Sequence, residues 1–142
     1  MTEKVLLVDD EKDFLETLAD RMRNRGMTVD TSASAIEALK RIETESYDAI
    51  ILDLMMPGMD GLEALKRVKE RRPELQVILL TGFGTLEKGI EAMKLGATDF
   101  VEKPADLEIL TQKIKNAQAK KMILVEKQTE EKIRKIMKQK PW

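Results

Sequence analysis

The chain has 142 residues, 42% of them hydrophobic and 36% charged, with a formal net charge of −1, which suits one ordinary domain with a real core and a short remainder. It contains no cysteine and no histidine, so disulfides, thiolate metal sites, imidazole acid–base catalysis and a phosphohistidine donor role are all excluded. No apolar run approaches a membrane span and the N-terminus lacks a signal-peptide core, so a soluble, cytoplasmic protein is expected.

In chain order, Val5–Val8 is a continuous apolar run, as a strand buried on both faces requires. Phe14, Leu15, Leu18, Ala19 and Met22 then recur at helical spacing, with Gly26 as a stop. Met27–Thr31 alternates weakly, which predicts a second strand nearer a sheet edge. Ser34 and Glu37 form a capping-box pair before Ile36, Leu39 and Ile42. Ala49–Leu52 is a third strand, followed by a loop carrying a Pro-Gly pair. Asp60 and Glu63 repeat the capping-box spacing before a helix that Pro73 closes. A fourth strand spans Val77–Leu80. Gly82-Phe83-Gly84 then forms a joint, and Thr85 caps a helix that runs to Gly96. Phe100–Val101 is a short fifth strand, and a last helix begins near Ala105. Five β-α units predict an α/β, doubly wound parallel sheet, with flavodoxin-like order 2-1-3-4-5.

The last helix changes face along its length. Leu107, Leu110, Ile114 and Ala117 suit docking on the sheet, but the same spacing continued reaches Lys121, Leu124, Gln128 and Glu131, so the stripe fails. A different stripe starts at Met122, Val125, Thr129, Ile133 and Ile136. The phase shift predicts a domain over residues 1–120 and a helical extension or linker over 121–142 that packs against something else. The competing expectation is a frayed tail. Charge divides along similar lines: residues 1–104 carry 15 Lys and Arg against 21 Asp and Glu, and residues 105–142 carry 10 against 5. With one aromatic residue, the basic segment reads as solvated helix rather than a nucleic-acid surface.

Four of the five strands end on residues suited to phosphate chemistry. Asp9 and Asp10 follow the first, Asp53 the third, Thr81 the fourth and Lys103-Pro104 the fifth. The carboxyl ends of parallel strands line one crevice, so these groups converge. Carboxylates at that density repel unless a cation sits among them, and all-oxygen ligation suits Mg²⁺. A lysine beside them supplies a mobile charge for a phosphoryl oxygen. Each residue also has a local reading: Asp10 as an N-cap, Asp53 as a loop-entry aspartate, Thr81 as a turn hydroxyl, Lys103 as a solvated edge charge. Those readings leave their joint placement at the central strand ends without a cause.

At these residues the chain resembles the receiver domain of bacterial two-component response regulators, from Glu3 to about Ala117. The motifs are VLLVDDE at 5–11, DAIILDLMMPGMDGLE at 48–63, VILLTGFG at 77–84 and GATDFVEKP at 96–104. The resemblance implies Asp53 as phosphoacceptor, and Mg²⁺ held by Asp10, Asp53 and the carbonyl of Met55, with Asp9 acting through water. Thr81 and Lys103 contact the phosphoryl group, Phe100 is the switch aromatic, and the Lys103-Pro104 bond is cis. The partner it implies is a sensor histidine kinase. Self-association through the fifth helix and its extension is a further expectation, with no direct nucleic-acid or membrane partner. The TGFG and GATDF stretches are most like receivers of enhancer-binding transcription activators, but no output domain is visible. Met55 and Phe83 depart from the commonest pattern and offer no group to orient water. A phosphatase with an aspartyl intermediate needs an acid two residues past the nucleophile, where Met55 stands. A nucleotide- or flavin-binding module needs a phosphate loop where Asp9-Asp10-Glu11 repels phosphate.

Overall fold

The computed structural model describes residues 2–56, 58–82 and 86–139; the expectations on Phe83, Gly84 and Thr85 lie outside them. Chain order is β1 (Lys4–Val8), α1 (Lys12–Asn24), β2 (Thr28–Ser32), α2 (Ala35–Thr44), β3 (Ala49–Asp53), α3 (Gly61–Arg71), β4 (Gln76–Thr81), α4 (Leu86–Lys94), β5 (Asp99–Glu102) and α5 (Leu107–Gln139). The strands pair in the order β2-β1-β3-β4-β5, and each pair is parallel.

Two apolar layers sandwich the sheet. Leu6, Val8, Ile50, Leu52, Val77 and Leu79 face α2, α3 and α4. Val5, Leu7, Ala49, Ile51, Ile78 and Leu80 face α1 and α5. Adjacent residues thus serve opposite layers, and this explains the unbroken apolar runs of the central strands. Each such Leu or Ile contributes about 1.5–3 kcal/mol by burial.

The caps decide where helices begin. Ser34 accepts from the Glu37 amide, as the sequence suggests. Asp60 instead accepts from the Leu62 amide, one residue earlier than the capping-box expectation. The residue after it must be glycine for a separate reason: a Cβ at Gly61 would lie 2.6 Å from the Leu54 carbonyl oxygen. Helix α5 starts two residues later than expected, because the Asp106 side chain accepts from both the Glu108 and Ile109 amides. Strand β2 is shifted by one residue: Met27 lies in the connection after α1, where its amide donates to the Met22 carbonyl. The N-cap of α1 is Glu11, not Asp10, so Asp10 is free of that duty.

Helix α5 runs without a break from the domain into the extension, as helix rather than frayed chain. Leu110, Ile114 and Ala117 are fully buried, while Met122, Val125, Ile133 and Ile136 are exposed. Its exit is fastened below the sheet. Lys121 Nζ donates to the Tyr47 carbonyl at 2.6 Å and to Ser46 Oγ at 3.1 Å. Gln118 donates to Asp48 at 3.3 Å.

Candidate phosphoryl-transfer site

Strand parity brings the site together. Asp9, Asp53 and Lys103 each stand two residues beyond a side chain that faces α1 and α5, namely Leu7, Ile51 and Val101. All three are therefore delivered to one side at the carboxyl edge. Thr81 and Phe100 have the other parity. Thr81 follows Val77 and Leu79, and Phe100 packs half-buried on that same layer. In register, Phe100 lies beside Leu79, and Thr81 beside Glu102.

Asp9 is wholly buried and Asp53 nearly so, whereas Asp10 is exposed. One carboxylate oxygen from each of the three falls within 4.8 Å of the others. Asp9 Oδ1 accepts from the Glu11 amide at 2.9 Å, and Asp53 Oδ1 from the Met55 amide at 3.1 Å. Lys103 Nζ approaches Asp9 Oδ2 at 2.8 Å, and Asp53 Oδ2 and Glu11 Oε1 both at 3.4 Å. The Asp9 contact is an ion pair without good hydrogen-bond alignment, which leaves that buried oxygen short of a directed donor. A buried acceptor in that condition, beside two more carboxylates, fits a hard divalent cation. Such an ion supplies charge neutralisation for the carboxylates and for phosphoryl oxygens.

The electrostatics carry the same tension. Burial pushes the Asp53 carboxyl above its usual range and the Asp9 charge adds to this, while the Met55 amide and Lys103 pull the other way. Burial would lower the Lys103 ammonium, but Asp9, Asp53 and Glu11 outweigh it and hold it above the ordinary lysine value. The lysine backbone, just beyond β5, is held to β4, since its amide donates to the Thr81 carbonyl at 2.8 Å. The Lys103-Pro104 peptide bond that follows is cis.

Thr81 is buried, and its hydroxyl reaches the Val101 carbonyl at 3.5 Å, a long contact. Met55 is half-exposed at the mouth of the site, where Lys88 Nζ lies 3.6 Å from its sulfur. Sequence reading missed two neighbours of Lys103. The Phe14 ring lies 4.5 Å below the ammonium, although helical periodicity assigns Phe14 only to a core face. Glu11 reads as part of an acidic run, and its contact with Lys103 spans 92 positions of sequence.

A doubly wound parallel sheet with a carboxylate triad and a lysine at its carboxyl edge defines an α/β module with an acidic crevice. A model of the response regulator receiver domain matches residues 5–115, and the chain belongs to that family. As such it is a signalling module, a phosphorylation-activated switch rather than a classical enzyme. It is 34% identical over 122 residues to the C4-dicarboxylate transport transcriptional regulatory protein DctD of Rhizobium meliloti, covering 86% of this chain and 26% of that protein. A receiver domain structure from Clostridium thermocellum matches with TM-score 0.82 and 35% identity, over 86% of this chain and 98% of that one. A structure described as adenylate cyclase from Rhodopirellula baltica matches with TM-score 0.83 and 27% identity, over 99% of this chain and all of that one. The chain thus spans about a quarter of DctD, and 58% of the photosynthetic apparatus regulatory protein RegA of Cereibacter sphaeroides.

Proposed function

We propose that Asp53 is the phosphoacceptor, with Mg²⁺ held by Asp10, Asp53 and the Met55 carbonyl and with Asp9 acting through a water. The observation that carries this is a nearly buried Asp53 carboxylate flanked by two more aspartates and approached by the Lys103 ammonium. An Asp53 carboxylate oxygen attacks phosphorus in line as the bond to the donor's leaving nitrogen breaks. Lys103 draws charge from the transferring oxygens, which is the main demand of a loose transition state. Thr81 then exchanges its long contact to Val101 for a phosphoryl oxygen. Its movement opens room on the layer it shares with Phe100, and the ring turns inward. The surface of α4, β5 and α5 changes in consequence, so a local charge event biases a two-state element.

The phosphodonor is the phosphohistidine of a sensor kinase or phosphotransfer protein. A groove of about 330 Å³ between α1 and the segment after Lys103, lined by Phe14, Leu18, Pro104 and Ala105 with Asp13, Thr17 and Arg21, offers the donor protein a seat of mixed apolar and charged character. Residues 1–120 act as the receiver and 121–142 as a helical extension that supports self-association. Composition supports a cytoplasmic setting without direct nucleic-acid contact, and among the described residues no helix is long and apolar enough to cross a membrane.

Incubation with a small phosphodonor and Mg²⁺, followed by intact mass measurement, tests the assignment. One phosphoryl mass is expected on the wild type and none on Asp53→Asn. Persistent labelling of the variant would sink it.

A further inference from the structure

We propose that Lys88, in the first turn of α4, is a second ammonium of the phosphoryl site, and that it captures the dianionic phosphoryl group of an incoming donor. The inference rests on the reading of Asp53 as phosphoacceptor and adds to it a residue that none of the sequence motifs contains.

The crevice is short of positive charge. Asp9, Asp53 and Glu11 surround a single ammonium, that of Lys103, and Asp10 stands beside them. A divalent cation among these four carboxylates still leaves negative charge in excess. A phosphodonor arrives as a dianion, so the crevice by itself repels the molecule it must admit. Lys103 is poorly placed to offset this at a distance. An ammonium has three donors, and this one already has three carboxylates and the Phe14 ring around it.

Lys88 is the opposite case. Its Nζ rests 3.6 Å from the Met55 sulfur, and among the described residues no carboxylate pairs with it. A thioether is a weak acceptor, whereas a phosphoryl oxygen forms a charge-assisted bond with an ammonium. The ammonium is therefore parked rather than bound.

Two contacts place it at the site. From below, the Met55 amide donates to Asp53 Oδ1 at 3.1 Å, so the thioether under Lys88 hangs from backbone tied to the acceptor carboxylate. From above, the first turn of α4 packs on Thr81: a Cβ added at the next residue, Gly89, would lie 4.0 Å from the Thr81 methyl. Lys88 also lines a cleft of about 420 Å³ with Leu54, Met55, Met56, Gly58 and Asp60. That volume lies within the usual range of small-ligand sites. Asp60, the carboxylate on its lining, is engaged in capping α3. A lysine has a flexible four-carbon stem, so Lys88 can leave the sulfur for a phosphoryl oxygen while α4 stays in place. No covalent bond changes in this step. Transfer to Asp53 follows it.

Phosphoryl uptake by the full chain in Mg²⁺ buffer, followed by intact mass against time, tests the role with two donors of different charge. Acetyl phosphate is a dianion at neutral pH, and phosphoramidate carries a single net charge. Lys88→Gln should lower the second-order rate constant about fivefold with acetyl phosphate and only about twofold with phosphoramidate. Lys88→Glu should lower both further, and Lys88→Arg should restore most of the loss. The difference between wild type and Lys88→Gln should shrink as salt is raised. Equal losses with the two donors would mean lost packing rather than lost charge and would overturn the inference, as would unchanged rates. A second readout needs no transfer. Acetonyl phosphonate, an inert dianion of the same shape as acetyl phosphate, should bind the Mg²⁺-loaded protein about fivefold more weakly in Lys88→Gln by NMR titration. Equal affinity would also overturn the proposal. Wild-type uptake that Asp53→Asn abolishes, together with indifferent Lys88 variants, would sink this inference and leave the Asp53 reading standing. Wild-type uptake that Asp53→Asn leaves intact would sink that reading, and the phosphonate titration would still decide on Lys88.

Discussion

The two edges of one sheet hold similar residues and treat them in opposite ways. At the carboxyl edge Asp9, Asp10 and Asp53 crowd within 4.8 Å, and Lys103 is shared among Asp9, Glu11 and Asp53. At the amino edge Lys4, Asp30, Arg41, Glu45 and Asp48 each have a partner. Tyr47 Oη donates to Asp30 at 2.7 Å, Arg41 pairs with the same carboxylate at 3.7 Å, and Lys4 pairs with Glu45 at 2.6 Å while its amide donates to Asp48. Burial and the bond to Asp30 together push the Tyr47 hydroxyl up to about 12. The difference teaches where chemistry resides. A satisfied network has nothing to gain from a new ligand, whereas an edge with surplus buried negative charge is stabilised by a cation and can respond to one.

The contrast breaks most visibly if Asp10 proves indifferent to metal. Asp10→Ala removes a ligand charge that no capping role explains, so Mg²⁺ affinity should fall at least tenfold, about 1.4 kcal/mol. Asp13→Ala, at an exposed position in the first turn of α1, should leave affinity unchanged. Titration of Mg²⁺ by fluorescence or calorimetry checks both, and equal losses would mean that the acidic cluster is misassigned.

A second effect of similar size concerns lifetime. Met55 covers the mouth of the site with apolar surface and offers no strong acceptor to orient an attacking water. Met55→Asn should speed loss of the phosphoryl group by up to about tenfold, since positioning one water is worth roughly 1.4 kcal/mol of barrier. The decay of phosphorylated protein in Mg²⁺ buffer measures it, and an unchanged rate would return Met55 to ordinary surface.

Smaller effects sharpen the comparison through stability. The carboxyl edge should be strained without metal, so Asp53→Asn should stabilise the metal-free protein by about 1 kcal/mol at neutral pH. The sign follows from linkage. The folded carboxyl is raised above its unfolded value, so the native state binds the proton more tightly and wild-type stability falls as pH climbs through that interval. The gain from Asp53→Asn should therefore be absent below the unfolded value and grow as pH rises past it, in denaturant titrations across pH. At the amino edge the opposite sign is expected. Tyr47→Phe deletes a bond to Asp30 and should cost about 1 kcal/mol with no change in Mg²⁺ affinity.

Much of the site was legible because its logic is local. A strand has a period of two and a carboxyl end, so the residues two beyond Leu7, Ile51 and Val101 could be placed in one crevice from sequence order alone. The Ser34 cap was legible for the same reason, since donor and acceptor are three residues apart. Other features were not, because their partners are distant in the chain. Nothing near Phe14 indicates that its ring will lie under an ammonium 89 positions away, and nothing near Tyr47 indicates that Lys121 will close on its carbonyl. The local alternative for Asp10, a cap for α1, is set aside by backbone geometry, which puts Glu11 at that position without a side-chain bond.

The sequence by itself determined the strand order class, the convergence of Asp9, Asp10, Asp53 and Lys103, and the change of face along α5, since all three follow from periodicity and chain order. Tertiary structure alone decided how far Lys103 is shared, which aspartate is buried and which exposed, and where the last helix is fastened as it leaves the domain. Those outcomes depend on distances between segments remote in sequence, and such distances are set by packing two helical layers onto one twisted sheet rather than by any local preference.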